Sequence, residues 1–365
     1  MPPIDFALIG HIESWNRAAA VISLLRGADR PPVSLEDVRE IIPWIPPRVA
    51  SQVTARSSQG RQVSGVYIDS FIPPDRLDSR FLRENLARVR AAAACAIKQG
   101  ARVVTLGGFS SILLEGKTDL LPSHSETAFT TGNTLTVALI VKGMERALAL
   151  AGRDLGASNV LIVGASGDVG SGCARWLAPK VKRLFLSARN PDRLRRFASE
   201  FLPLGSRVTA DADLKQLIEK SDVVICAASM PAPQLLLDAL PPGSIVCDAG
   251  YPKNVSPDFV PRDGAIFYGG LGQASAGIQL DPDLLGIMYP YSLSNVAHGC
   301  LLEGIVLAME KRFEPFSQGR GLITPQRVEN IWQNAQAHGI GLPPLFNADG
   351  LVEEDMRCLG PEVAP

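Results

Sequence analysis

The clearest chemical feature of the sequence is a glycine-rich turn between an apolar run and a helical pattern. The run 159–163 leads straight into a G-x-x-G-x-x-G turn at residues 164–170. Glycines at this spacing let the backbone turn tightly and approach a pyrophosphate. The negative charge of the pyrophosphate is then stabilised by the backbone amides at the start of the helix. Because strand, turn and helix follow one another, we predict a dinucleotide site here. The residues expected to contact the cofactor are Gly164, Ser166, Gly167, Asp168 and Val169.

The end of the next strand indicates which nicotinamide cofactor is used. An acidic residue about 20 residues after the glycines would hydrogen-bond a free ribose hydroxyl. The sequence instead reads Ser187-Ala188-Arg189-Asn190, and a guanidinium can hold a 2′-phosphate through two hydrogen bonds. These residues predict NADPH, with Ser187 and Arg189 in the site. The alternative is that Arg189 is a solvated residue at a strand end.

Two later strand ends complete the expected crevice. They carry the segments 227–231 and 248–254, and ligands of open α/β sheets bind at the carboxyl ends of the strands. Both segments are also typical of plain turns rich in Gly and Pro. The residues expected to flank the nicotinamide ring are Ala228, Ser229, Met230, Gly250 and Tyr251.

The elements that must position these residues indicate two α/β domains. From residue 159 onward, strands alternate with helices, which predicts a parallel sheet with crossover helices and hence an NADP-binding Rossmann domain over 151–290. Before it, a strand at 6–9, a Pro-rich stretch at 31–47 and a helix at 80–99 feeding a strand at 101–106 predict a second α/β domain. We expect this substrate domain to span 1–150, completed by C-terminal helices at 291–345. A flexible tail is expected at 346–365.

Charge and composition exclude several classes of protein. The 36 basic and 37 acidic side chains nearly cancel, so no global field attracts nucleic acid or an anionic membrane. No apolar run approaches the roughly 20 residues of a spanning helix, and no secretory signal pattern is visible. The six cysteines and four histidines lack the spacing of a disulfide framework or a metal site. A cytoplasmic globular protein without transmembrane segment or metal is expected.

The arrangement of these segments resembles two related families. The shikimate dehydrogenase-like family, in which a substrate domain precedes the Rossmann domain, is resembled at Gly132-Asn133-Thr134 and at the GYP loop, residues 250–252. However, Leu135 stands where that family has a catalytic Asp. Over nearly the whole chain the sequence more closely resembles the aldehyde-forming long-chain acyl-[acyl-carrier-protein] reductases. The matching segments are LIGHIES, TLGGFSSI at 105–112, FTTGNT at 129–134, the glycine turn, ARN at 188–190, ASMP at 228–231, GYPKN at 250–254 and the Cys300 helix.

The second resemblance implies reduction of a fatty acyl thioester to an aldehyde through a thioester on Cys300. A covalent acyl-enzyme divides one difficult step into two easier ones. If the helix of residues 293–312 begins after Ser292 or Ser294, Cys300 lies one to two turns inside it, where the helix dipole stabilises a thiolate only weakly. The alternative is that Cys300 is a small buried hydrophobic residue, as we interpret Cys173, Cys226 and Cys247.

The resemblance also implies partners. An acyl-carrier protein is the expected acyl donor, with acyl-coenzyme A as the alternative, and an aldehyde-consuming enzyme of hydrocarbon biosynthesis is a further possible partner. Since carrier proteins are acidic, basic residues such as Arg80, Arg83, Arg88 and Arg90 would favour a carrier. Two rival functions stay open: a shikimate dehydrogenase-like reductase of a small hydroxy or keto acid, and a non-catalytic NADPH-sensing protein.

Overall fold

The strands of the chain assemble into three β-sheets within the residues described by the computed structural model. These residues are 4–27, 29–114, 117–211, 213–230, 235–317 and 323–359. The strands are β1 (Phe6–Gly10), β2 (Arg48–Arg56), β3 (Gln62–Asp69), β4 (Val103–Leu106), β5 (Ala128–Thr130), β6 (Asn159–Val163), β7 (Arg183–Ser187), β8 (Val208–Ala210), β9 (Val223–Cys226), β10 (Ile245–Asp248), β11 (Ala265–Tyr268), β12 (Leu271–Ala274), β13 (Ile278–Asp281), β14 (Val296–His298) and β15 (Ile340–Gly341).

The helices cover the sheets and carry several of the predicted site residues. They are α1 (Trp15–Arg26), α2 (Leu35–Ile41), α3 (Leu82–Lys98), α4 (Phe109–Leu113), α5 (Asn133–Leu150), α6 (Asp168–Leu177), α7 (Pro191–Ala198), α8 (Leu214–Glu219), α9 (Leu285–Met288), α10 (Gly299–Met309), α11 (Pro325–Ala337) and α12 (Glu353–Cys358). In the described ranges, no helix has both the length and the apolar character needed to cross a membrane.

The chain divides into two units. The first comprises residues 1–132, 272–319 and 333–341, and the second comprises 133–271, 320–332 and 342–365. The boundaries expected from the sequence, near 150 and 290, differ from this division. Helix α5 belongs to the second unit because it packs on α6, where a Cβ on Gly172 would lie 2.9 Å from the Val137 side chain. Strand β13 belongs to the first unit because it pairs antiparallel with β2.

The second unit contains the predicted Rossmann sheet. Its strand order is β11-β10-β9-β6-β7-β8, and every neighbouring pair is parallel. This order reverses direction between β6 and β9, as in dinucleotide-binding folds. The α/β fold class is thereby confirmed. The sequence did not predict β8, whose three residues are only partly buried and polar in part, so no apolar run marks it.

The first unit is built on a mixed sheet. Its order is β13-β2-β3-β1-β4-β5, with β3, β1, β4 and β5 parallel and β2 antiparallel to both of its neighbours. Strands β1 and β4 and helix α3 agree with the sequence prediction, whereas the β2–β3 hairpin was not predicted. Helix α3 covers one face, where Val89 and Ala92 are fully buried with Ile68 and Leu106.

The C-terminal region is more regular than the expected flexible tail. Phe346 is buried and forms an edge-to-face contact with Tyr268, and α12 buries Met356 completely. Arg146 of α5 forms a salt bridge with Glu353 at the start of α12. The tail expected from residue 346 is therefore a packed segment as far as residue 359, and residues 360–365 lie outside the described part.

Candidate active site

The residues predicted to bind the dinucleotide lie at the carboxyl ends of neighbouring strands in the second unit. The turn at 164–170 follows β6, and its neighbour β7 ends at Ser187, two residues before Arg189. On the other side, β9 ends just before residues 227–230 and β10 just before Gly250 and Tyr251. Because β10, β9, β6 and β7 are consecutive in the sheet, all of these segments lie next to one another at the carboxyl ends of the strands. Pro231, the last residue of the segment 227–231 that the sequence analysis singled out, lies outside the described residues.

Two glycines of the turn, Gly164 and Gly170, occupy positions that no other residue could fill without displacing backbone. Gly164 has φ +87, and a Cβ there would lie 2.6 Å from the carbonyl oxygen of Ala227. A Cβ on Gly170 would lie 2.3 Å from the carbonyl oxygen of Gly164. Helix α6 begins at Asp168 directly after this turn, with Gly167 as its N-cap. The bare backbone leading into a helix N-terminus fits the pyrophosphate of a dinucleotide.

Hydrogen bonds from neighbouring segments fix the turn on both sides. The carbonyl oxygen of Ser187 accepts hydrogen bonds from the amides of Gly164 and Ala165 at 2.8 and 3.0 Å. The carboxylate of Asp168 is buried and accepts a hydrogen bond from the Asn133 side chain at 2.8 Å. These bonds tie the turn to the end of β7 and the start of α6 to the start of α5, so the turn is held in shape before any ligand binds.

The candidate nucleophile lies closer to a helix start than the sequence suggested. Helix α10 begins at Gly299, which makes Cys300 its second residue. The expected start after Ser292 or Ser294 was wrong, because residues 296–298 form β14 in a sheet with β12 and β15. In the first turn, the helix dipole favours a thiolate more than it would deeper in the helix.

Backbone segments of the first unit surround Cys300 closely. A Cβ on Gly107, directly after β4, would lie 3.7 Å from its Sγ, and a Cβ on Gly132, shortly after β5, would lie 2.4 Å from its Cα. Cys300 is therefore at the carboxyl edge of the parallel strands, the edge at which α/β sheets bind ligands. Its side chain is half-buried, whereas Cys173, Cys226 and Cys247 are buried as expected for packing residues.

The surroundings of the thiol keep it protonated in the resting protein. Burial raises the pKa of Cys300 to about 11, while hydrogen bonds from the backbone amides of Gly108 and Leu301 act in the opposite direction. His298 precedes the helix as its N-cap and packs against the Tyr289 ring at 5.0 Å between centroids. Cys300 thus combines a low resting ionisation with backbone donors placed to stabilise a thiolate when one forms.

A buried acidic residue, which the sequence analysis did not single out, anchors the Cys300 helix. Glu303 is fully buried one turn after Cys300 and accepts hydrogen bonds from the hydroxyl of Thr130 at 2.9 Å and from that of Ser317 at 2.8 Å. The amide of Ser317 donates in turn to the Thr130 hydroxyl at 2.8 Å. This network holds α10 against the segment that carries Gly132. In the sequence, the feature that could have pointed to Glu303 is its position as a single acidic residue within the apolar run of residues 301–309.

Comparison with known proteins identifies the family of the chain. It is 31% identical over 343 residues to the long-chain acyl-[acyl-carrier-protein] reductase of Synechococcus elongatus, and the match covers 92% of this chain and 97% of that protein. The chain belongs to the long-chain acyl-[acyl-carrier-protein] reductase family. This confirms the resemblance seen in the sequence, and it makes the chain an oxidoreductase.

The chain also has more distant similarities to proteins outside the acyl-[acyl-carrier-protein] reductase family. The shikimate / quinate 5-dehydrogenase family model matches residues 145–268. A 255-residue segment is 29% identical to the aminotransferase PigE of Serratia sp., covering 68% of this chain and 29% of that protein. The quinate dehydrogenase of Corynebacterium glutamicum in complex with NAD is 16% identical, with a TM-score of 0.34, 68% of this chain and 80% of that chain covered.

The high pKa of Cys300 predicts how fast this family member reacts with an alkylating reagent. In the substrate-free protein, we expect the rate of Cys300 modification by iodoacetamide to rise through pH 9 and 10, because the pKa of its thiol is raised to about 11. Peptide mass spectrometry would follow Cys300 alone, with N-acetylcysteine as the reference thiol. A rate that levels off near pH 8, close to an ordinary cysteine pKa of about 8.5, would contradict this description of the site.

Proposed function

We propose that the protein reduces a long-chain fatty acyl thioester, delivered by an acyl-carrier protein, to a fatty aldehyde with NADPH, through a thioester on Cys300. The observation that carries this proposal is the position of Cys300. It is a half-buried thiol in the first turn of α10, at the carboxyl edge of parallel strands and beside the amide of Gly108. Membership in the acyl-[acyl-carrier-protein] reductase family supports the same chemistry.

The first half-reaction transfers the acyl group to the protein. The Cys300 Sγ attacks the thioester carbonyl carbon, the bond between that carbon and the carrier sulfur breaks, and the proton lost by Cys300 ends on the departing carrier thiol. Since burial keeps Cys300 protonated at neutral pH, ionisation has to accompany substrate binding. The amides of Gly108 and Leu301 stabilise the thiolate as it forms.

The second half-reaction releases the aldehyde. NADPH, held by the glycine turn at 164–170 and by Arg189, would be the source of the hydride in this step. The acyl carbon would gain that hydride, the bond between the carbon and Sγ would break, and the carbonyl of the aldehyde would form. Cys300 leaves as a thiolate, again facing the amides of Gly108 and Leu301, and takes up one proton to regenerate the thiol. The same backbone donors therefore stabilise sulfur as nucleophile and as leaving group.

The choice of NADPH rests on Arg189. Its side chain is exposed two residues beyond the end of β7, where a 2′-phosphate would lie. We expect Arg189→Ala to raise the KM for NADPH by about tenfold or more, with little change in the KM for NADH, because a charge-assisted pair contributes roughly 1.5–3 kcal/mol. Steady-state kinetics with both cofactors measures this. The neighbouring Arg193→Ala is the control, and equal effects of Arg189→Ala on both cofactors would contradict the assignment.

The surface of the first unit is compatible with an acidic carrier. Arg83 and Arg90 of α3 are exposed and seven residues apart, on one side of the helix. Arg88 has a structural role instead, since its guanidinium donates to the carbonyl oxygens of Ile45, Ser70 and Pro43. We therefore prefer an acyl-carrier protein to coenzyme A as donor, acting in the cytoplasm, where an aldehyde-consuming enzyme such as one of hydrocarbon biosynthesis would take the product.

Product analysis tests the proposed function against its rivals. Purified protein would be incubated with palmitoyl-carrier protein, palmitoyl-coenzyme A, or shikimate with NADP⁺, and products identified by gas chromatography. Hexadecanal formed with NADPH consumption, faster from the carrier protein, is the expected result. Oxidation of shikimate without hexadecanal would favour a small-acid dehydrogenase. NADPH binding without any turnover would favour a sensing role.

A further inference from the structure

The two loops on the β9 and β10 side of the second unit are joined by one side chain. Asn254 is fully buried at the end of the loop that follows β10, residues 249–255. Its Oδ1 accepts the amide of Ala228 at 3.0 Å, and its Nδ2 donates to the carbonyl oxygen of Ala228 at 2.8 Å. The side-chain amide therefore satisfies both backbone groups of one residue in the loop that follows β9, residues 227–230.

The loop that carries Asn254 is itself fixed to the end of β10. Asp248 is buried, and its carboxylate accepts hydrogen bonds from the amides of Gly250, Asn254 and Val255 at 2.9, 3.0 and 3.0 Å. Gly250 leaves room for this arrangement, because a Cβ there would lie 2.3 Å from the Nδ2 of Asn254. A carboxylate with several amide donors is a strong local anchor.

Lys253 is part of this structure and is not an open loop residue. Its ammonium group donates to the carbonyl oxygen of Asp248 at 2.9 Å and lies 4.3 Å from the centre of the Tyr268 ring. Asp248, Lys253 and Asn254 thus shape one loop from three directions. These side-chain hydrogen bonds go to backbone groups, which indicates a role in holding backbone in position.

We propose that Asn254 is a positioning residue that sets the distance between the β9 and β10 loops and so orders the nicotinamide end of the bound cofactor. In the sheet, β7 lies on one side of β6 and β9 and β10 lie on the other. A dinucleotide crosses that reversal point, with its adenosine end on the β7 side and its nicotinamide end on the β9 side. The inference rests on the cofactor assignment of the proposed function, and it does not depend on the acyl substrate.

Asn254→Asp is the sharpest test, because aspartate keeps the size of the side chain. One carboxylate oxygen can still accept the Ala228 amide, but the other faces the Ala228 carbonyl oxygen, which would lose its donor and meet a second acceptor. We expect NADPH affinity, measured by fluorescence titration without acyl substrate, to fall by about tenfold or more. Asn254→Ala, which removes the bonds without adding charge, should weaken NADPH binding in the same way.

A ligand without the nicotinamide separates positioning from general damage. We expect 2′-phospho-ADP-ribose to bind both variants with wild-type affinity, which also shows that the glycine turn is folded. Asn347→Asp is the matched control. The Asn347 side chain is half-buried in the same unit, but it donates to the carbonyl oxygen of Ile266 and accepts from the amide of Asp349. The Asn347→Asp protein should bind both ligands normally. Equal losses for NADPH and for 2′-phospho-ADP-ribose, or no loss for either, would overturn the inference. Failure to form aldehyde would overturn only the proposed function.

Discussion

Cys300→Ser is expected to abolish aldehyde formation while leaving cofactor binding intact. A serine hydroxyl ionises far less readily than a thiol near neutral pH and is a poorer nucleophile and leaving group at this position. We expect kcat for palmitoyl-carrier protein reduction to fall by ~1,000-fold or more, in line with the loss of an essential nucleophile. NADPH affinity should be unchanged, because serine keeps the size of the side chain and Cys300 is not among the residues assigned to the cofactor.

Cys95→Ser provides a matched control for this prediction. Cys95 is also half-buried and belongs to the same unit, but it lies on α3 and packs against the core beneath the sheet. We expect this variant to keep near wild-type turnover. If Cys300→Ser retained a tenth or more of the wild-type kcat, the reaction would have to proceed by direct reduction of the bound thioester, and the covalent route would be wrong.

Gly132→Ala is expected to have the second largest effect. Gly132 has φ +71, and a Cβ there would lie 2.4 Å from the Cα of Cys300, 2.7 Å from its Cβ and 2.8 Å from the Thr105 side chain. Thr105 cannot give way, because β4 is already tight against α10, where a Cβ on Gly304 would lie 2.4 Å from the Thr105 hydroxyl. The added methyl group must therefore displace Cys300. A displacement of about 1 Å in a reacting group can cost about 100-fold in rate.

Gly60→Ala separates this clash from the cost of the backbone conformation. Gly60 has φ +81, but nothing lies within 4 Å of a Cβ built on it. Both substitutions place alanine in the left-handed region, which costs roughly 1–2 kcal/mol. Gly60→Ala should show that loss of stability in urea unfolding with kcat unchanged, whereas Gly132→Ala should lose turnover and more stability. Equal kcat in the two variants would contradict the contact between Gly132 and Cys300.

The strand–turn–helix segment proposed to bind the dinucleotide could be predicted as local structure from the sequence, because its determinants are local. The strand, the glycine turn and the first turn of α6 are continuous along the chain, from residue 159 to residue 170. Each later strand end is likewise an apolar run followed by turn residues. Such short-range patterns are set by backbone geometry and hydrophobic periodicity, which need no knowledge of the partner strands.

The parts that could not be predicted depend on partners far away in the sequence. The start of α10 is fixed by the incorporation of residues 296–298 into a sheet with β12 and β15, which an amphipathic pattern does not reveal. Glu303 bonds to Thr130 across 173 residues, and Asn254 bonds to Ala228 across 26. In the sequence, helix α5 has the pattern of a link between domains, but in the structure it packs on α6 and belongs to the second unit. Each case is a tertiary contact that overrides or supplements the local signal.

The most direct test of the covalent route is intact-protein mass spectrometry after mixing the protein with palmitoyl-carrier protein in the absence of NADPH. We predict a palmitoyl adduct on the wild-type protein that hydroxylamine removes, that is absent from Cys300→Ser, and that is released as hexadecanal when NADPH is added. Peptide mapping should place it on Cys300. Absence of the adduct in a protein that still forms hexadecanal, or an adduct that NADPH leaves in place, would contradict a thioester on Cys300 as the intermediate.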